Sequence, residues 1–268
     1  MKKASLVIAV CGAVCTAAAL PGEARADGFR RFIAGGLEAL LGFRPRAGGS
    51  ASAAPSVQPS ELKNTYYLLR HGESTGNVKG VISCGLPALF GHGLTALGLT
   101  QAQVAGERSP LPEDTLIISS PLKRARQTAK LFRRAAGISG AVALDWNLRE
   151  RGFGTLNGSL YADYDRVREA DVLRQQQGVI GPNDEPSLEA RGVESFASVQ
   201  GRTAGLIADL ERRYQGRTIL LVAHDNTAKA LFTLLPAAHA LSHRALKISN
   251  GQIYPLSEAS LRQVMKGN

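Results

Sequence analysis

The chain has 268 residues, of which 44% are hydrophobic and 20% are charged, and this balance is ordinary for a globular protein. It excludes collagen-like, coiled-coil and wholly disordered chains. The unusual property is the charge, because 32 Lys and Arg residues against 22 Asp and Glu residues give a net charge of +10, which suits nucleic acid, a membrane surface or a small anionic substrate as a partner.

The N-terminus has the organisation of a secretory signal. Lys2 and Lys3 form a basic start, residues 5–20 are almost wholly apolar, and the small-x-small sequence of residues 24–26 follows. We therefore expect residues 1–26 to be a signal peptide and the protein to be exported, either periplasmic or secreted. The alternatives are an uncleaved membrane anchor and a thylakoid-lumen address. The apolar run is shorter than the roughly 20 residues that span a bilayer, which argues against the anchor. Because no other stretch of the sequence is long and apolar enough to span, no stable membrane insertion is expected after cleavage.

A linker separates this signal from the main domain. Residues 45–60 are rich in Ala, Ser, Pro and Gly and show no hydrophobic period, whereas the pattern over residues 29–42 is that of a short amphipathic helix. We expect an N-terminal extension and linker over residues 27–63 and a single catalytic domain over residues 64–268.

Short apolar runs alternate with helical patterns through this domain. The runs predict strands over residues 65–69, 115–119, 141–144 and 218–223. The helical patterns cover residues 95–107 (N-cap Thr95), 121–136 (Pro121 in the first turn), 187–214 (interrupted near Gly192) and 226–235. The alternation predicts an α/β fold, a three-layer α/β/α sandwich in which helices cover both faces of a mostly parallel central sheet.

Two histidines and an arginine follow predicted strands. Arg70 and His71 come after the first strand, and His224 comes after the strand over residues 218–223. Because ligands of parallel sheets bind at the carboxyl ends of strands, these side chains are expected at one site. A guanidinium is a forked donor for phosphate, and an imidazole can act as nucleophile, acid or base. The alternative is that one histidine is a hydrogen-bonded core residue.

Six segments resemble motifs of one known family. The histidine phosphatase superfamily, which includes cofactor-dependent phosphoglycerate mutases, has an R-H-G-E-S-x-x-N signature to which residues 70–77 (RHGESTGN) are similar. Five further segments resemble family motifs in the family's order: residues 82–85 (ISCG), 94–102 (LTALGLTQA), 119–129 (SSPLKRARQTA), 148–154 (LRERGFG) and 221–224 (LVAH). The resemblance covers roughly residues 65–255 and implies the family's phosphoryl-transfer chemistry.

The resemblance implies a nucleophile and a general acid. His71 is similar to the family's nucleophile, which attacks phosphorus and forms a phosphohistidine. Glu150 is similar to the acid that protonates the leaving oxygen and then activates water. A surface ion pair of Glu150 with Arg149 or Arg151 is the alternative, and Glu73 is expected to be a structural partner rather than the acid.

The resemblance also implies the residues that hold the phosphoryl group. Arg70, Arg124 and His224 would bind its oxygens, His224 more strongly when protonated, and Asn77 and Ser83 would make lesser contacts. This scheme needs no cofactor and no metal, and the sequence has no H-E-x-x-H or paired-Cys spacing. Asp225 is the main departure, since the family often has glycine after the second histidine and a carboxylate there would oppose anion binding.

The segments after Glu150 bear on the reaction type. Residues 157–178 lack the family's mutase-type G-K-x-x-A stretch, and the turn-rich residues 181–186 resemble a phosphatase cap, which predicts a small cap formed by insertions. We therefore favour a phosphomonoester hydrolase acting on a small phosphorylated metabolite. The alternatives are mutase-type transfer and a non-catalytic phospho-ligand binding domain. Nucleic acid is not an expected partner, because no C2H2 spacing, RNA-recognition signature or Lys-rich tract is present. The oligomeric state is left open.

Overall fold

The computed structural model describes residues 61–177, 187–238 and 243–266. The expected signal peptide, the helix over residues 29–42, the linker and the turn-rich residues 181–186 lie outside the described residues. Among the residues that are described, no helix is long and apolar enough to cross a membrane.

The centre of the fold is a five-stranded sheet in the order β3-β2-β4-β1-β5. Its strands are β1 (Thr65–Arg70), β2 (Leu116–Ser119), β3 (Val142–Leu144), β4 (Thr218–Ala223) and β5 (Ile253–Pro255). The first four strands are parallel, and β5 pairs antiparallel with β1. The four predicted strands and the mostly parallel sheet are therefore confirmed, and β5 was not predicted from the sequence.

Helices connect and cover the strands. They are α1 (Thr75–Lys79), α2 (Ala96–Glu107), α3 (Lys123–Ala135), α4 (Tyr161–Gln177), α5 (Phe196–Arg213), α6 (Asp225–Phe232) and α7 (Glu258–Lys266). Single 3-10 turns cover Leu86–Leu89, Trp146–Leu148, Gly154–Leu156, Pro236–Ala238 and His243–Ala245.

The structure refines three predicted helix boundaries. Thr95 is the N-cap of α2, since its hydroxyl accepts from the Gly98 N–H, as predicted. Pro121 lies before the N-cap of α3, Leu122, rather than in the first turn. The pattern over residues 187–214 becomes a helix only after the N-cap Ser195, because Gly192 adopts a positive φ of 72° and ends the preceding turn.

The alternation of side chains along β4 divides the core into two layers. Ile219 and Leu221 face one hydrophobic cluster, which α5, α6 and α7 cover, while Leu220 and Val222 face the other, which α2 and α3 cover. A strand buried on both faces reads as a continuous apolar run, and this explains the TILLVA sequence. The three-layer arrangement predicted from the sequence is therefore confirmed.

A third, smaller cluster lies outside these two layers. Ile82, Cys84, Phe153 and Leu156 form its buried part, and Tyr164 of α4 packs against it. The cluster joins the chain after α1 to the loop that follows β3, so it supports the two segments that border the carboxyl ends of the strands.

Two glycines let the end of β1 approach the start of α2. A Cβ on Gly72 would collide with the carbonyl oxygen of Gly98, and a Cβ on Gly98 would collide with the carbonyl oxygen of Glu73. The glycine after His71 is thus explained by close backbone approach, one of the two roles that glycine serves in such motifs.

Candidate active site

The two predicted histidines lie side by side at the carboxyl edge of the sheet. Arg70 is opposite Ala223 in the β1–β4 register, and the backbone N–H of His71 continues the pairing by donating to the Ala223 carbonyl at 3.0 Å. The imidazole rings of His71 and His224 are 4.9 Å apart between centroids and tilted by 59°. Both residues are buried, so neighbouring strands bring together groups that are far apart in the sequence.

The hydrogen bonds of His71 determine which nitrogen is free to react. Nδ1 lies 2.7 Å from the Gly72 carbonyl, to which it donates, and Nε2 accepts from Nε of Arg124 at 3.0 Å. Burial lowers the pKa of His71 well below its usual value, and the positive charges of Arg124 and Arg70 lower it further. The imidazole is therefore neutral, with its lone pair on Nε2.

Arg124 enters the site from the first turn of α3. Its Nη2 donates to the Ser83 carbonyl at 2.9 Å, and the side chain is buried. Arg126 donates instead to the Leu89 carbonyl at 2.9 Å. Arg124 lines the pocket together with His71, whereas its neighbours Lys123 and Arg126 do not. Successive residues on a helix point in different directions, which explains the difference.

Arg70 and His224 each have a buried nitrogen without a protein partner among the described residues. Arg70 donates through Nη1 to the Ile248 carbonyl at 2.5 Å, while its Nε has no acceptor. His224 is bonded through Nε2 to the Ser120 hydroxyl at 2.8 Å, while its Nδ1 is unpartnered. Because buried polar groups are almost always hydrogen-bonded, two such atoms at the carboxyl ends of neighbouring strands indicate a place for a ligand that accepts hydrogen bonds.

The pKa of His224 bears on how this residue would bind an anion. Burial lowers this pKa well below its usual value, and the charge of Arg124 lowers it further. The imidazole is therefore neutral in the anion-free site, and the stronger binding expected of a protonated His224 stays a prediction. A neutral ring whose Nε2 accepts from the Ser120 hydroxyl carries its proton on Nδ1 and is still a donor to an anion.

Glu150 is a buried carboxyl group rather than part of a surface ion pair. Its Oε1 accepts from the backbone N–H groups of Arg151 at 2.8 Å and Asn226 at 3.2 Å. Burial raises its pKa, the Asp225 carboxylate raises it further, and Arg124 is among the groups that oppose the shift. A raised pKa keeps the proton that a general acid has to donate.

The loop that carries Glu150 is held on both sides by Glu194. The Glu194 carboxylate accepts from Arg149 Nη2 at 3.3 Å and from the Gly152 N–H at 2.9 Å, and its ion pair with Arg202 Nε is 2.9 Å long. Arg149 is thus engaged with Glu194, and the proposed surface pair with Glu150 is wrong. Glu194 was not identified from the sequence, because it lies 44 positions away and in no matching motif.

Asp225 is turned toward cations. Its Oδ1 lies 3.2 Å from Arg70 Nη1, and its Oδ2 lies 2.7 Å from Lys229 Nζ. It also borders the same pocket as His71. The carboxylate is therefore present at the site, as the sequence implied, but Lys229 and Arg70 compensate its charge.

Asn77 and Ser83 border the pocket, and the hydrogen bonds described for them are made within the protein. Asn77 Oδ1 accepts from the N–H and the hydroxyl of Ser74 at 3.0 and 2.8 Å, which caps α1, and Ser83 accepts from Arg124 through its backbone carbonyl. Their contacts with a phosphoryl group stay predictions. Glu73 accepts from Thr95 Oγ1 at 2.7 Å and is a structural partner, as expected.

The pocket contains further residues that the sequence did not indicate. It has a volume of about 20 Å³ and is lined by Arg70, His71, Ser74, Gly76, Asn77, Val81, Ser83, Arg124, Glu150, Tyr161 and Asp225. Val81 and Tyr161 lie in none of the six segments that resemble family motifs, and their side chains have no chemistry that would distinguish them in a sequence. Asn250, also missed, donates through Nδ2 to the His71 carbonyl at 2.8 Å and so fixes the backbone of that residue.

The described residues contain no group of three or more His, Cys, Asp or Glu side chains that could hold a metal ion. The chemical groups that line the pocket are the neutral imidazole of His71, two guanidinium groups, the Glu150 carboxyl group of raised pKa and the Asp225 carboxylate. His224 is not part of the lining, and its ring lies behind the pocket against that of His71. This combination suits the binding of a phosphoryl group and its transfer to a nitrogen nucleophile.

Comparisons with known proteins show the family of the chain. The sequence model of the histidine phosphatase superfamily (branch 1) matches residues 66–266. The protein of Salmonella paratyphi A named "Probable phosphoglycerate mutase GpmB" is 31% identical over 187 residues, which are 70% of this chain and 81% of the relative. Two solved structures are similar. The structure named "Mycobacterial hydrolase 1" is 28% identical with a TM-score of 0.53, and the match covers 70% of this chain and 89% of the other. A mutant phosphoserine phosphatase from Entamoeba histolytica in complex with phosphoserine is 24% identical with a TM-score of 0.51, covers 71% of this chain and 88% of the other, and shows the similarity of the fold alone.

Proposed function

The chain belongs to the histidine phosphatase superfamily, and from this membership we propose that it is a phosphomonoester hydrolase that works through a phosphohistidine on His71. The family comprises phosphatases and mutases, so the chain is an enzyme of phosphoryl transfer in this proposal. The substrate is a small phosphorylated metabolite.

One observation carries the proposal. His71 presents an unprotonated Nε2, and beside it Arg70 Nε and His224 Nδ1 are buried donors without a protein acceptor among the described residues. A phosphoryl group supplies the missing parts, since its phosphorus is the electrophile for Nε2 and its oxygens accept from the two donors.

The first step forms a bond between His71 Nε2 and phosphorus and breaks the bond between phosphorus and the ester oxygen. Arg70, Arg124 and His224 stabilise the charge on the non-reacting oxygens. Glu150 gives its proton to the leaving oxygen, and the alcohol departs. The hydrogen bond from Nδ1 to the Gly72 carbonyl stabilises the positive charge that develops on the ring.

The second step returns the enzyme to its starting state. Water attacks the phosphorus of the phosphohistidine, the nitrogen–phosphorus bond breaks, and the carboxylate of Glu150 accepts a proton from the water. Inorganic phosphate and neutral His71 result. The raised pKa of Glu150 suits both roles, because the group is a competent acid in one step and a sufficiently strong base in the other.

The main alternative is a mutase, in which the phosphohistidine passes its phosphoryl group back to a second hydroxyl. The relative named a phosphoglycerate mutase favours it. Hydrolysis is favoured by the missing G-K-x-x-A stretch after the acid loop. A non-catalytic phosphate-binding domain would need neither an oriented nucleophile nor a carboxyl group of raised pKa.

Two further parts of the proposal concern conditions and location. The reaction uses no metal, since the proposed steps assign every proton and charge to the chain's own side chains. The enzyme is exported, on the basis of the basic, apolar and small-x-small organisation of residues 1–26.

The test is phosphate release from an aryl phosphate by the purified chain in the presence of EDTA. Denaturation in alkali during turnover should trap up to one phosphohistidine per chain, since the nitrogen–phosphorus bond is labile in acid and stable in base, and His71→Ala should abolish both the intermediate and the release. His92→Asn is the matched control, because His92 borders α1 outside the pocket lining and has a positive φ that asparagine tolerates. Turnover that survives His71→Ala would overturn the mechanism, and isomerisation of 3-phosphoglycerate faster than phosphate release would establish the mutase instead.

A further inference from the structure

The alcohol part of the substrate must lie outside the small pocket. The pocket between Arg124, His71 and Glu150 has a volume of about 20 Å³, little more than one water molecule needs, so it has no space for the alcohol part of an ester. Glu150 delivers its proton to the leaving oxygen in the proposed mechanism. The residues beside Glu150 at the pocket opening are therefore the residues that the departing alcohol contacts.

Apolar and aromatic groups occupy that side of the opening. Tyr161 lines the pocket, and its pKa is raised to about 12, first by burial of its hydroxyl and then by the nearby Glu150 charge. Val81 also lines the pocket and forms an isolated antiparallel bridge with Leu160, and the Tyr161 N–H donates to the Gly80 carbonyl at 2.8 Å. We call Val81, Leu160 and Tyr161 the leaving-group rim. Leu160 and Tyr161 are 50% and 39% exposed, so apolar surface is available there.

The charges at the pocket point the same way. Its described lining contains two arginines, Arg70 and Arg124, and two carboxyl groups, Glu150 and Asp225. In the proposed function both arginines bind the phosphoryl oxygens, and the described pocket lining contains no further cation for the leaving group. A substrate with a second acidic group would thus meet carboxyl groups instead of a cation.

From these observations we propose that the preferred substrates are phosphate monoesters of uncharged, apolar or aromatic alcohols, which bind through their alcohol part to the leaving-group rim. This inference rests on the proposed hydrolase function and specifies its substrate class. The rim stabilises the ester by removing apolar surface from water, which for one buried methylene corresponds to a factor of about four in affinity, and about two where one side stays wet.

The test uses ethyl, butyl and hexyl phosphate, whose leaving oxygens are chemically almost identical. We expect kcat/KM to rise about two- to fourfold for each added methylene until the rim is covered. Hexyl phosphate bearing a terminal carboxylate should react at least about tenfold more slowly than hexyl phosphate itself, because the rim offers it no cation. Equal rates along the alkyl series, or preference for the carboxylate-bearing ester, would overturn the inference.

Variants locate the effect at the rim. Leu160→Ser should reduce the ratio of the hexyl to the ethyl rate, whereas Leu144→Ser, a change of an equally exposed leucine on β3, should leave that ratio as it is. Tyr161→Phe should retain the length dependence, because it preserves the ring and removes only the hydroxyl. Loss of the length dependence in Leu144→Ser but not in Leu160→Ser would show that the apolar surface lies elsewhere.

Failure of this inference is distinguishable from failure of the proposed function. If His71-dependent hydrolysis occurs without any length dependence, the hydrolase stands and the substrate class is wrong. If no ester is hydrolysed, alkylphosphonates of increasing length still measure the rim by calorimetry, and affinities that do not increase with length contradict it.

Discussion

Nε of Arg124 lies 3.0 Å from Nε2 of His71, so a guanidinium donor faces the atom that is proposed to attack phosphorus. In the anion-free site this donor occupies the nucleophile's lone pair. In the proposed mechanism a bound phosphoryl group comes between the two side chains and accepts from the guanidinium. The arginine would then protect the neutral histidine before binding and hold the phosphoryl oxygens during the reaction.

This geometry predicts that Arg124→Lys lowers kcat/KM by about 10²- to 10³-fold, the usual loss when one charge-stabilising donor is removed. An ammonium group cannot reach His71 Nε2 and the Ser83 carbonyl with two fixed donors, as the guanidinium does. Steady-state hydrolysis of an aryl phosphate measures the effect. Arg126→Lys is the control on the same helix and should change the rate less than about threefold, which is below 1 kcal/mol.

The Asp225 carboxylate predicts a shift in pH dependence. Burial raises the pKa of Glu150 most, and Asp225 raises it next, so Asp225→Asn should lower that pKa. Since Glu150 acts as an acid while it is protonated, its activity is lost as pH rises through the pKa. The descending limb of the pH profile for an alkyl phosphate should therefore move to lower pH in the variant.

The control for this prediction is a carboxylate far from the pocket. Asp114 pairs with Arg217 at 3.3 Å, and neither residue belongs to the pocket lining. Asp114→Asn should leave the descending limb in place. An unchanged limb in Asp225→Asn, or a shift to higher pH, would show that Asp225 does not act on the general acid.

The position of Glu194 predicts a loss that depends on the leaving group. Its carboxylate accepts from Arg149, the residue before Glu150, and from Gly152, two residues after it, so Glu194→Gln should displace the acid without removing it. Alkyl phosphates need the proton more than aryl phosphates with good leaving groups. We expect the rate for an alkyl ester to fall at least about tenfold more than the rate for a nitrophenyl ester, since general acid catalysis contributes about 10²- to 10⁴-fold.

The matched control is Ser198→Ala, which removes a neighbouring bond to the same carboxylate without touching the acid loop. It should affect both esters equally. A uniform loss for both esters in Glu194→Gln would identify a purely structural residue.

The centre of this site could be predicted because its chemistry follows strands with a strong sequence pattern. His71 and His224 come directly after apolar runs, and the carboxyl ends of parallel strands meet at one edge of a sheet. The motif around Arg124 begins with a buried strand and continues into a helix, so its position at that edge was predictable as well. The apolar runs can be identified from local sequence, and the meeting of parallel strand ends at one edge holds for all sheets of this kind.

The periphery of the site follows no such rule. Asn250 supports His71 from a loop before β5, and β5 has only three residues, too few to show a hydrophobic period. Tyr161 and Glu194 reach the site through contacts between segments that are distant in sequence. Those contacts depend on packing of the smaller cluster, whose members share no spacing that a single sequence displays.

The buried carboxyl of Glu150 predicts a stability effect that opposes its catalytic use. Its pKa is higher in the folded than in the unfolded state, so the stability it contributes is fully present below the unfolded pKa, about 4.3, and is lost as pH rises through the folded pKa. Glu150→Gln should therefore raise the urea midpoint at neutral pH, and the difference from the parent chain should shrink in acid. The same variant should be nearly inactive toward alkyl phosphates.

Glu211 provides the control of opposite sign. Burial raises its pKa, but hydrogen bonds from the Lys63 N–H, Asn64 and Tyr66 outweigh burial and lower it overall. Its stability contribution is present above the unfolded pKa and is lost as pH falls, so Glu211→Gln should lower the urea midpoint at neutral pH. Equal shifts of the urea midpoint in one direction for both variants would contradict the assignment of Glu150 as a buried carboxyl group of raised pKa.

The close approach of β1 and α2 predicts that Gly98→Ala is strongly destabilising. Its Cβ would collide with the Glu73 carbonyl, a backbone atom that cannot turn aside, and moving α2 would disturb the residues after His71. Overpacking of this kind typically costs about 1–3 kcal/mol, measured as a lower urea midpoint at constant slope. Gly201→Ala on α5 is the matched control, because nothing lies within 4 Å of its added methyl group, and helix propensity should make it about 0.5–1 kcal/mol stabilising. Equal stability of the two alanine variants would show that backbone contact is not what requires glycine at position 98. A loss of stability confined to Gly98→Ala would show that the R-H-G signature and the start of α2 pack against each other.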